Sequence, residues 1–249
     1  MYTDFAAVYD RLMQEVDYKA FALVYDSILQ NHGVYHNSSI VECACGTGNI
    51  SIPLSENYNL TGIDISEEML SRAMQKARQA GKRITFIRQD MQQLKLHKPT
   101  QAVLATCDGP NYLSSLGLKH FFEAAYAGLL PNGIICFDIS SEYKLRNTIA
   151  DNTFTLSDED ICYIWQNKLD KDSVSMQLDI FVKNKGFYDR LIEYQQQYIH
   201  SAKNIISALE NAGFTNISVF NKDLDPPKEK DERLFFVASK KENYVRHTI

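Results

Sequence analysis

The sequence predicts an α/β protein: a mostly parallel, seven-stranded sheet with helices on both faces, into which an antiparallel β unit is inserted. Three observations carry that expectation. Between Ser39 and Ile139 short apolar runs alternate with helical segments, and such alternation at short spacing means a parallel sheet covered on both sides. From Ser173 to Val182 the period becomes two, with Val174, Met176, Leu178, Ile180 and Val182 on one side and Ser173, Ser175, Gln177 and Asp179 on the other. Thr215 to Phe220 and Leu234 to Ser239 then read as a hairpin-like pair that completes the main sheet. The expected organisation is a main domain of residues 1–145 and 200–241, with residues 146–199 as an antiparallel lid.

Each element has its own local warrant. Phe5 to Leu12 and Tyr18 to Leu29 read as helices, the second with Phe21, Val24, Tyr25, Ile28 and Leu29 at helical spacing. The first strand is Ser39 to Cys43, followed by a helix from about Asn49 to Glu56, and the second strand is Leu60 to Ile63. Ser66 caps a helix whose first turn holds Glu67 and Glu68, favourable at a positive helix end. Its apolar stripe is Met69, Leu70, Ala73 and Ala77, and Gly81 ends it. Ile84 to Arg88 is the third strand and Ala102 to Thr106 the fourth. A helix from Leu118 to Leu130 and a turn at Pro131-Asn132-Gly133 lead to the fifth strand, Ile134 to Ile139. In the insertion, Ile161 to Leu169, the period-two strand and Phe187 to Ile199 pair through turns at Asp170-Lys171-Asp172 and Asn184-Lys185-Gly186. Ser201 caps the helix Ala202 to Asn211, which Gly213 ends.

The first strand carries the chemistry. Ile40-Val41-Glu42-Cys43-Ala44-Cys45-Gly46-Thr47-Gly48-Asn49 runs from an apolar strand through an acid into a loop of small residues. Gly46 and Gly48 allow positive φ and close approach of backbone to a ligand. The helix start behind them attracts an anionic group such as the carboxylate of a methionine moiety. Glu42 faces the ammonium of the same moiety, directly or through water. Asp64 ends the second strand at the distance where an acid takes ribose hydroxyls as donors. Two acids and a small-residue loop suit S-adenosylmethionine better than a dinucleotide. The G-x-G-x-x-G fingerprint fails in either alignment, with Ala44 and Asn49 or with Ser51 in glycine positions, and Glu42 would repel a pyrophosphate.

The chain resembles the class I S-adenosylmethionine-dependent methyltransferases. Their first motif, acid-x-Gly-x-Gly-x-Gly, stands here as Glu42-Cys43-Ala44-Cys45-Gly46-Thr47-Gly48, with Ala44 in place of the first glycine and Glu42 in place of the commoner Asp. Within the family it is most similar to a bacterial small-molecule branch opening with Phe-Ala-x-x-Tyr-Asp-x-Leu, here Phe5-Ala6-Ala7-Val8-Tyr9-Asp10-Arg11-Leu12. The likeness spans about Tyr2 to Lys241. It implies a Rossmann-like sheet, S-adenosyl-L-methionine as cofactor, and an adenine motif at Gln89-Asp90-Met91, where Asp90 accepts from the exocyclic amine unless it is a turn aspartate. It also implies cofactor contacts at Tyr9, Glu42, Ala44, Cys45, Gly46, Gly48, Asp64, Ile65, Met69 and Cys107. Met69 is either core or a support beneath the adenine, and Tyr9 either closes over the methionine end or makes a helix contact.

Composition limits the partners. The 249 residues carry a formal net charge of −5, which disfavours a nucleic-acid partner, and the lysines of Asp225 to Asp231 are cancelled by neighbouring acids. Hydrophobic content of 45% supplies a sizeable core. No apolar run approaches the ~18 residues of a membrane span, and Met1-Tyr2-Thr3-Asp4 lacks a basic leader, so the expectation is a cytoplasmic protein. The five cysteines make no C-x-x-C pair and read as reduced thiols, and the six histidines are scattered, so no metal is expected.

For methyl transfer the protein must hold the acceptor in line and exclude water, and the insertion with the N-terminal helices would form the lid. The candidates facing the acceptor are Asp108, Asn111 and Tyr112, at the tip of the fourth strand, unless Gly109-Pro110 simply makes a turn that Asp108 stabilises. Tyr188, Arg190, Ile192, Tyr194, Gln196 and Tyr198 share one strand face, which either lines the acceptor pocket or is an ordinary packed or solvated face. The acceptor expected is the nitrogen or oxygen of a small molecule. The rivals are an RNA or protein methyltransferase and a non-catalytic cofactor-binding regulator.

Overall fold

The structure is a computed structural model and describes residues 5–241. Met1 to Asp4, the residues read above for a leader, lie outside the described residues. Helices α1 (Phe5–Leu12) and α2 (Tyr18–Asn31) precede strand β1 (Ser39–Cys43). The single turn α3 (Ser51–Leu54), β2 (Asn59–Asp64), α4 (Glu67–Gln79), β3 (Thr85–Arg88), β4 (Thr100–Ala105), α5 (Ser115–Gly128) and β5 (Leu129–Ser140) follow. The insertion contributes β6 (Thr153–Ser157), β7 (Ile161–Leu169), β8 (Ser173–Asn184) and β9 (Phe187–Tyr198). Helix α6 (Ala202–Asn211), β10 (Phe214–Phe220) and β11 (Arg233–Lys240) close the chain's described part.

The main sheet has seven strands in the order β10-β11-β5-β4-β1-β2-β3, and β11 alone runs against both its neighbours. Chain order proceeds outward from β1 to β3, then jumps back to β4 on the other side of β1. Ligands of open α/β sheets bind at such a reversal, beyond the carboxyl ends of the strands. Successive residues of β1 serve opposite faces: Ile40 packs with α2, through Tyr25, Ile28 and Leu29, and Val41 packs in the core that holds Phe121 and Phe122 of α5. Both faces are therefore apolar, as a sheet covered on two sides requires.

The second sheet is antiparallel, in the order β6-β7-β8-β9. Lys185 and Gly186 both have positive φ and form a two-residue turn between Asn184 and Phe187, the geometry that matches strand twist. This sheet meets the rest of the molecule partly through α1: Phe5, Ala6 and Val8 pack with Ile161 and Ile180 on one side and with Met69 of α4 on the other.

Several boundaries differ from expectation. The helix expected over Asn49 to Glu56 is only one turn, because the tight turn closed by the Gly48 amide on the Cys45 carbonyl delays it and Asn57 already turns back. Helix α5 starts at Ser115, since Ser114 caps it through the Gly117 amide, and ends at Gly128. The Pro131-Asn132-Gly133 turn is a kink inside β5, with Asn132 at φ 60 and a register shift against β4, because Leu129 also pairs with Thr100. The short edge strand β6, with only Phe154 and Leu156 partly covered, carried too little pattern to be read.

Candidate active site

The loop after β1 is shaped by three residues with left-handed backbone: Ala44 at φ 53, Gly46 at φ 53 and Gly48 at φ 76. Ala44 thus adopts, at some cost, the conformation that a glycine would take freely. A Cβ at Gly48 would lie 3.2 Å from that of Ala73, so α4 packs against bare backbone there. The loop and the ends of β1, β2, β3 and β4 enclose a cavity of about 290 Å³.

Two carboxylates stand in its wall. Glu42 is buried and accepts from Thr106 Oγ1 at 2.6 Å and from Ser51 Oγ. Burial pushes its pKa up to about 7, against the opposing effect of the two hydroxyls. Asp64 accepts from the Gly46 amide through Oδ2 at 2.8 Å and from the Ser66 amide through Oδ1 at 2.9 Å. Burial raises its pKa and those amides oppose the rise. Each oxygen of Asp64 keeps capacity for a further donor.

The other residues singled out fall into three groups. Tyr9, Ala44, Cys45, Gly46, Ile65, Met69, Gln89, Asp90, Met91 and Cys107 all line this cavity with Glu42 and Asp64. Gly48 shapes the loop from behind. Asp90 caps a short turn by accepting from the Gln92 amide at 2.9 Å, so its turn role is real while it faces the cavity. Tyr112 lines the cavity and donates to Gln195 Oε1 at 3.1 Å. Asn111 is fully buried and spends both ends on backbone: Nδ2 donates to the Ser140 and Tyr198 carbonyls and Oδ1 accepts from the Ser140 amide. It does not line the cavity, and its contacts tie the β4 loop to β5 and β9. Asp108 is paired with Arg233 at 2.8 Å and accepts from Gln197 Nε2 at 3.0 Å. Burial raises its pKa, but Arg233 and Lys144 outweigh this and hold it below the usual carboxylate range, which makes it a poor base.

A second cavity of about 380 Å³ adjoins the first, and Phe5, Tyr9, Tyr18, Cys107, Tyr112 and Gln195 line both. Its far wall is the inner face of the antiparallel sheet: Tyr163 and Trp165 of β7, Met176 and Leu178 of β8, Gln195 and Gln197 of β9. The tyrosine-rich face of β9 points the other way, with Tyr188, Ile192 and Tyr194 exposed. The sequence held the signal for this: a two-residue turn at Lys185-Gly186 sets Met176 opposite Gln195 and Val174 opposite Gln197, so the glutamines share the apolar face of β8. Tyr18 and Thr106, also missed, carry no pattern of their own.

Helix α1 roofs the first cavity and is latched by Asp10. Its Oδ1 accepts from Thr47 Oγ1 at 2.7 Å and Asn49 Nδ2 at 2.9 Å, and its Oδ2 pairs with Lys76 Nζ at 2.8 Å. Among the described residues no helix is long and apolar enough to cross a membrane, and no cluster of metal-ligating side chains is present.

Comparison with known proteins agrees with this geometry. Residues 40–133 match the family described as a methyltransferase domain. YqeM of Bacillus subtilis, provisionally named a methyltransferase, is 37% identical over 98% of this chain and 99% of its own length. The crystal structure of an S-adenosylmethionine-dependent methyltransferase from Clostridium acetobutylicum superposes with a TM-score of 0.88 at 28% identity, covering 96% of this chain and 99% of that one. The sugar N-methyltransferase KedS8 from Streptoalloteichus sp shares the fold at 18% identity, with a TM-score of 0.79 over 94% of this chain and 93% of its own. The chain belongs to the class I S-adenosylmethionine-dependent methyltransferases.

Proposed function

We propose that this enzyme methylates a nitrogen or oxygen of a small molecule held in the second cavity. The observation that supports this most directly is the junction of the two cavities, walled by Tyr9, Tyr18, Tyr112 and Gln195. A chamber roofed by α1 and walled by the antiparallel sheet suits a compact acceptor better than a nucleic acid or a protein chain.

The residues of the first cavity fit S-adenosylmethionine. Glu42 matches the ammonium, the bare backbone at Gly46 leaves room for the amino-acid end, and Asp64 has acceptor capacity left for two hydroxyls. Ile65, exposed at the rim, with Met69 and Met91 offers an apolar slot, and Asp90 an acceptor, for the adenine. The bound sulfonium supplies an activated methyl group whose bonding pair stays on sulfur while the acceptor's lone pair forms the new bond. The protein's own part is then orientation and exclusion of water. Holding reactants in a near-attack geometry lowers barriers by roughly 7–11 kcal/mol. Tyr9 and Tyr18 both line the junction of the cavities, and burial raises the pKa of both, so they stay neutral and position the acceptor. Tyr112, bonded to Gln195, is the residue we place nearest the acceptor's departing proton, which passes to solvent.

The test is a screen of metabolite extracts with methyl-labelled cofactor, alongside calorimetry with S-adenosylhomocysteine. Labelled small products and micromolar or tighter binding are expected. Label appearing only in RNA or protein would overturn the acceptor assignment.

A further inference from the structure

We infer that the acceptor carries a single carboxylate, apart from the atom that is methylated, and that Lys144 binds it. This rests on the reading of the second cavity as the acceptor chamber and names the class of molecule that enters it. Three observations combine.

The first is an ammonium without a counter-ion. Lys144 lines the chamber, and among the described residues its Nζ makes neither an ion pair nor a hydrogen bond. The residue is half-buried, yet the nitrogen itself stays accessible. Carboxylates on the adjoining segments are committed elsewhere. Asp108 pairs with Arg233 at 2.8 Å and accepts from Gln197, Glu142 pairs with Arg146 at 2.9 Å, and Glu232 accepts from Thr148 Oγ1 at 2.7 Å. Lys144 acts on Asp108 only through its field, which helps to hold that carboxyl below the usual range. Asp108 cannot serve a cationic acceptor without bringing that cation beside both Arg233 and Lys144. Asp108 and Asp138 share one guanidinium, so a negative charge remains in that network. It penalises a doubly charged phosphate at Lys144 more than a carboxylate.

The second is how Lys144 is held. It opens a π turn, Lys144–Ile149, in which the Ala150 amide reaches the Leu145 carbonyl five residues back at 3.0 Å. Such turns are rare and recur at functional sites. Leu145 and Ile149 anchor this one by packing with Val174 and Met176 of β8. The Lys144 amide donates to Ser141 Oγ at 3.0 Å, so the backbone beneath the ammonium is fixed at both ends.

The third is the company Lys144 keeps. Ser140 lines the same chamber and is 2% exposed, and its hydroxyl meets no hydrogen-bond partner among the described residues. It offers a neutral donor on the Lys144 side of the chamber. Phe21, Tyr163, Trp165, Met176 and Leu178 supply apolar surface for the body of the molecule. A carboxylate at one end and an apolar body match these walls together.

The experiment saturates the protein with S-adenosylhomocysteine and titrates it in a calorimeter with phenylpropionate, its neutral amide, phenyl phosphate and phenethylamine. Phenylpropionate is expected to bind about tenfold more tightly than the amide, the worth of a partly screened charge-assisted bond. K144M should abolish that difference while leaving the amide unchanged, and K144R should keep most of it. In the metabolite screen, the labelled product should be retained by an anion exchanger at neutral pH, and K144M should raise its precursor's KM with kcat little changed. Equal affinity for acid and amide, or a preference for the phosphate or the amine, would overturn the inference. So would a K144M loss shared by acid and amide, which would reduce Lys144 to packing, or no binding of any of the four while S-adenosylhomocysteine still binds. Each of these leaves the methyltransferase assignment standing, whereas failure of S-adenosylhomocysteine itself to bind would remove both readings together.

Discussion

At the scale of single residues, Glu42 makes the sharpest prediction. Its pKa of about 7 lies above the ordinary 4.5 because the side chain is buried. The folded protein therefore holds this proton more tightly than the unfolded chain does. The stability it contributes is full below about pH 4.5 and declines as pH rises to about 7. Opposite the cofactor's ammonium, the ionised form binds better, so S-adenosylhomocysteine affinity should rise with pH toward a plateau above 7, approaching tenfold per unit on the acid side. Calorimetry across pH measures this, and E42Q should flatten both trends; a flat profile in the native protein would remove Glu42 from the ammonium site. Asp64 gives a second test. D64A should weaken S-adenosylhomocysteine by about 1.5–3 kcal/mol, the range for hydrogen bonds to a charged group. An unchanged affinity would put the ribose elsewhere. Asn111 teaches the converse lesson. A polar residue at a strand tip reads as a candidate for chemistry, yet its amide is consumed by three backbone groups, a fate that depends on residues 29 and 87 positions away.

At the scale of elements, α1 is the piece whose motion matters most. It is eight residues long, too short to persist as a helix alone in water, and is held by its apolar face and by Asp10. Burial raises the Asp10 pKa, but hydrogen bonds from Lys76, Thr47 and Asn49 outweigh that and lower it. The latch is thus intact above the ordinary carboxylate range and is lost as pH falls through the depressed pKa. D10A should speed release of S-adenosylhomocysteine in stopped-flow measurements by about tenfold, with a stability loss of about 1–2 kcal/mol, the worth of charge-assisted bonds at a half-exposed site. An unaltered release rate would show that α1 does not gate the cavity. The strands and helices themselves were largely legible, since period and caps are local. The bounds of α1 and β1 agree with the sequence pattern, and Ser66 and Ser201 do cap their helices. The face of β9 that meets the chamber was legible too, but only by combining the turn with the pattern of β8.

At the scale of the whole molecule, one buried charge network joins distant segments. Arg233 of β11 pairs with Asp108 after β4 and Asp138 of β5, and Asp138 also accepts from Tyr25 of α2 and from the amides of Cys107 and Asp108. The guanidinium lies 5.2 Å from the centroid of Phe21 as well. Removing it strands two carboxylates in a dry site. R233M should therefore destabilise the fold by about 3–5 kcal/mol in chemical denaturation. The loss should shrink at acid pH, as Asp108 protonates, and R233K should recover only part of it. A loss below about 1 kcal/mol, or one independent of pH, would contradict this account of the network.

The sequence by itself determined the strand and helix pattern, the small-residue loop between two acidic strand tips, and through these the cofactor class. Those features are set by neighbours within a few residues, where propensity, periodicity and turn chemistry act. Only the tertiary structure decided which polar groups are spent on the fold and which remain available to a ligand. It paired Asp108 with Arg233, engaged Asn111 with backbone, turned the tyrosines of β9 outward and left the Lys144 ammonium without an ion pair among the described residues. The reason is physical: whether a polar atom is satisfied depends on what the folded chain brings within about 3 Å of it, and those partners come from far along the sequence.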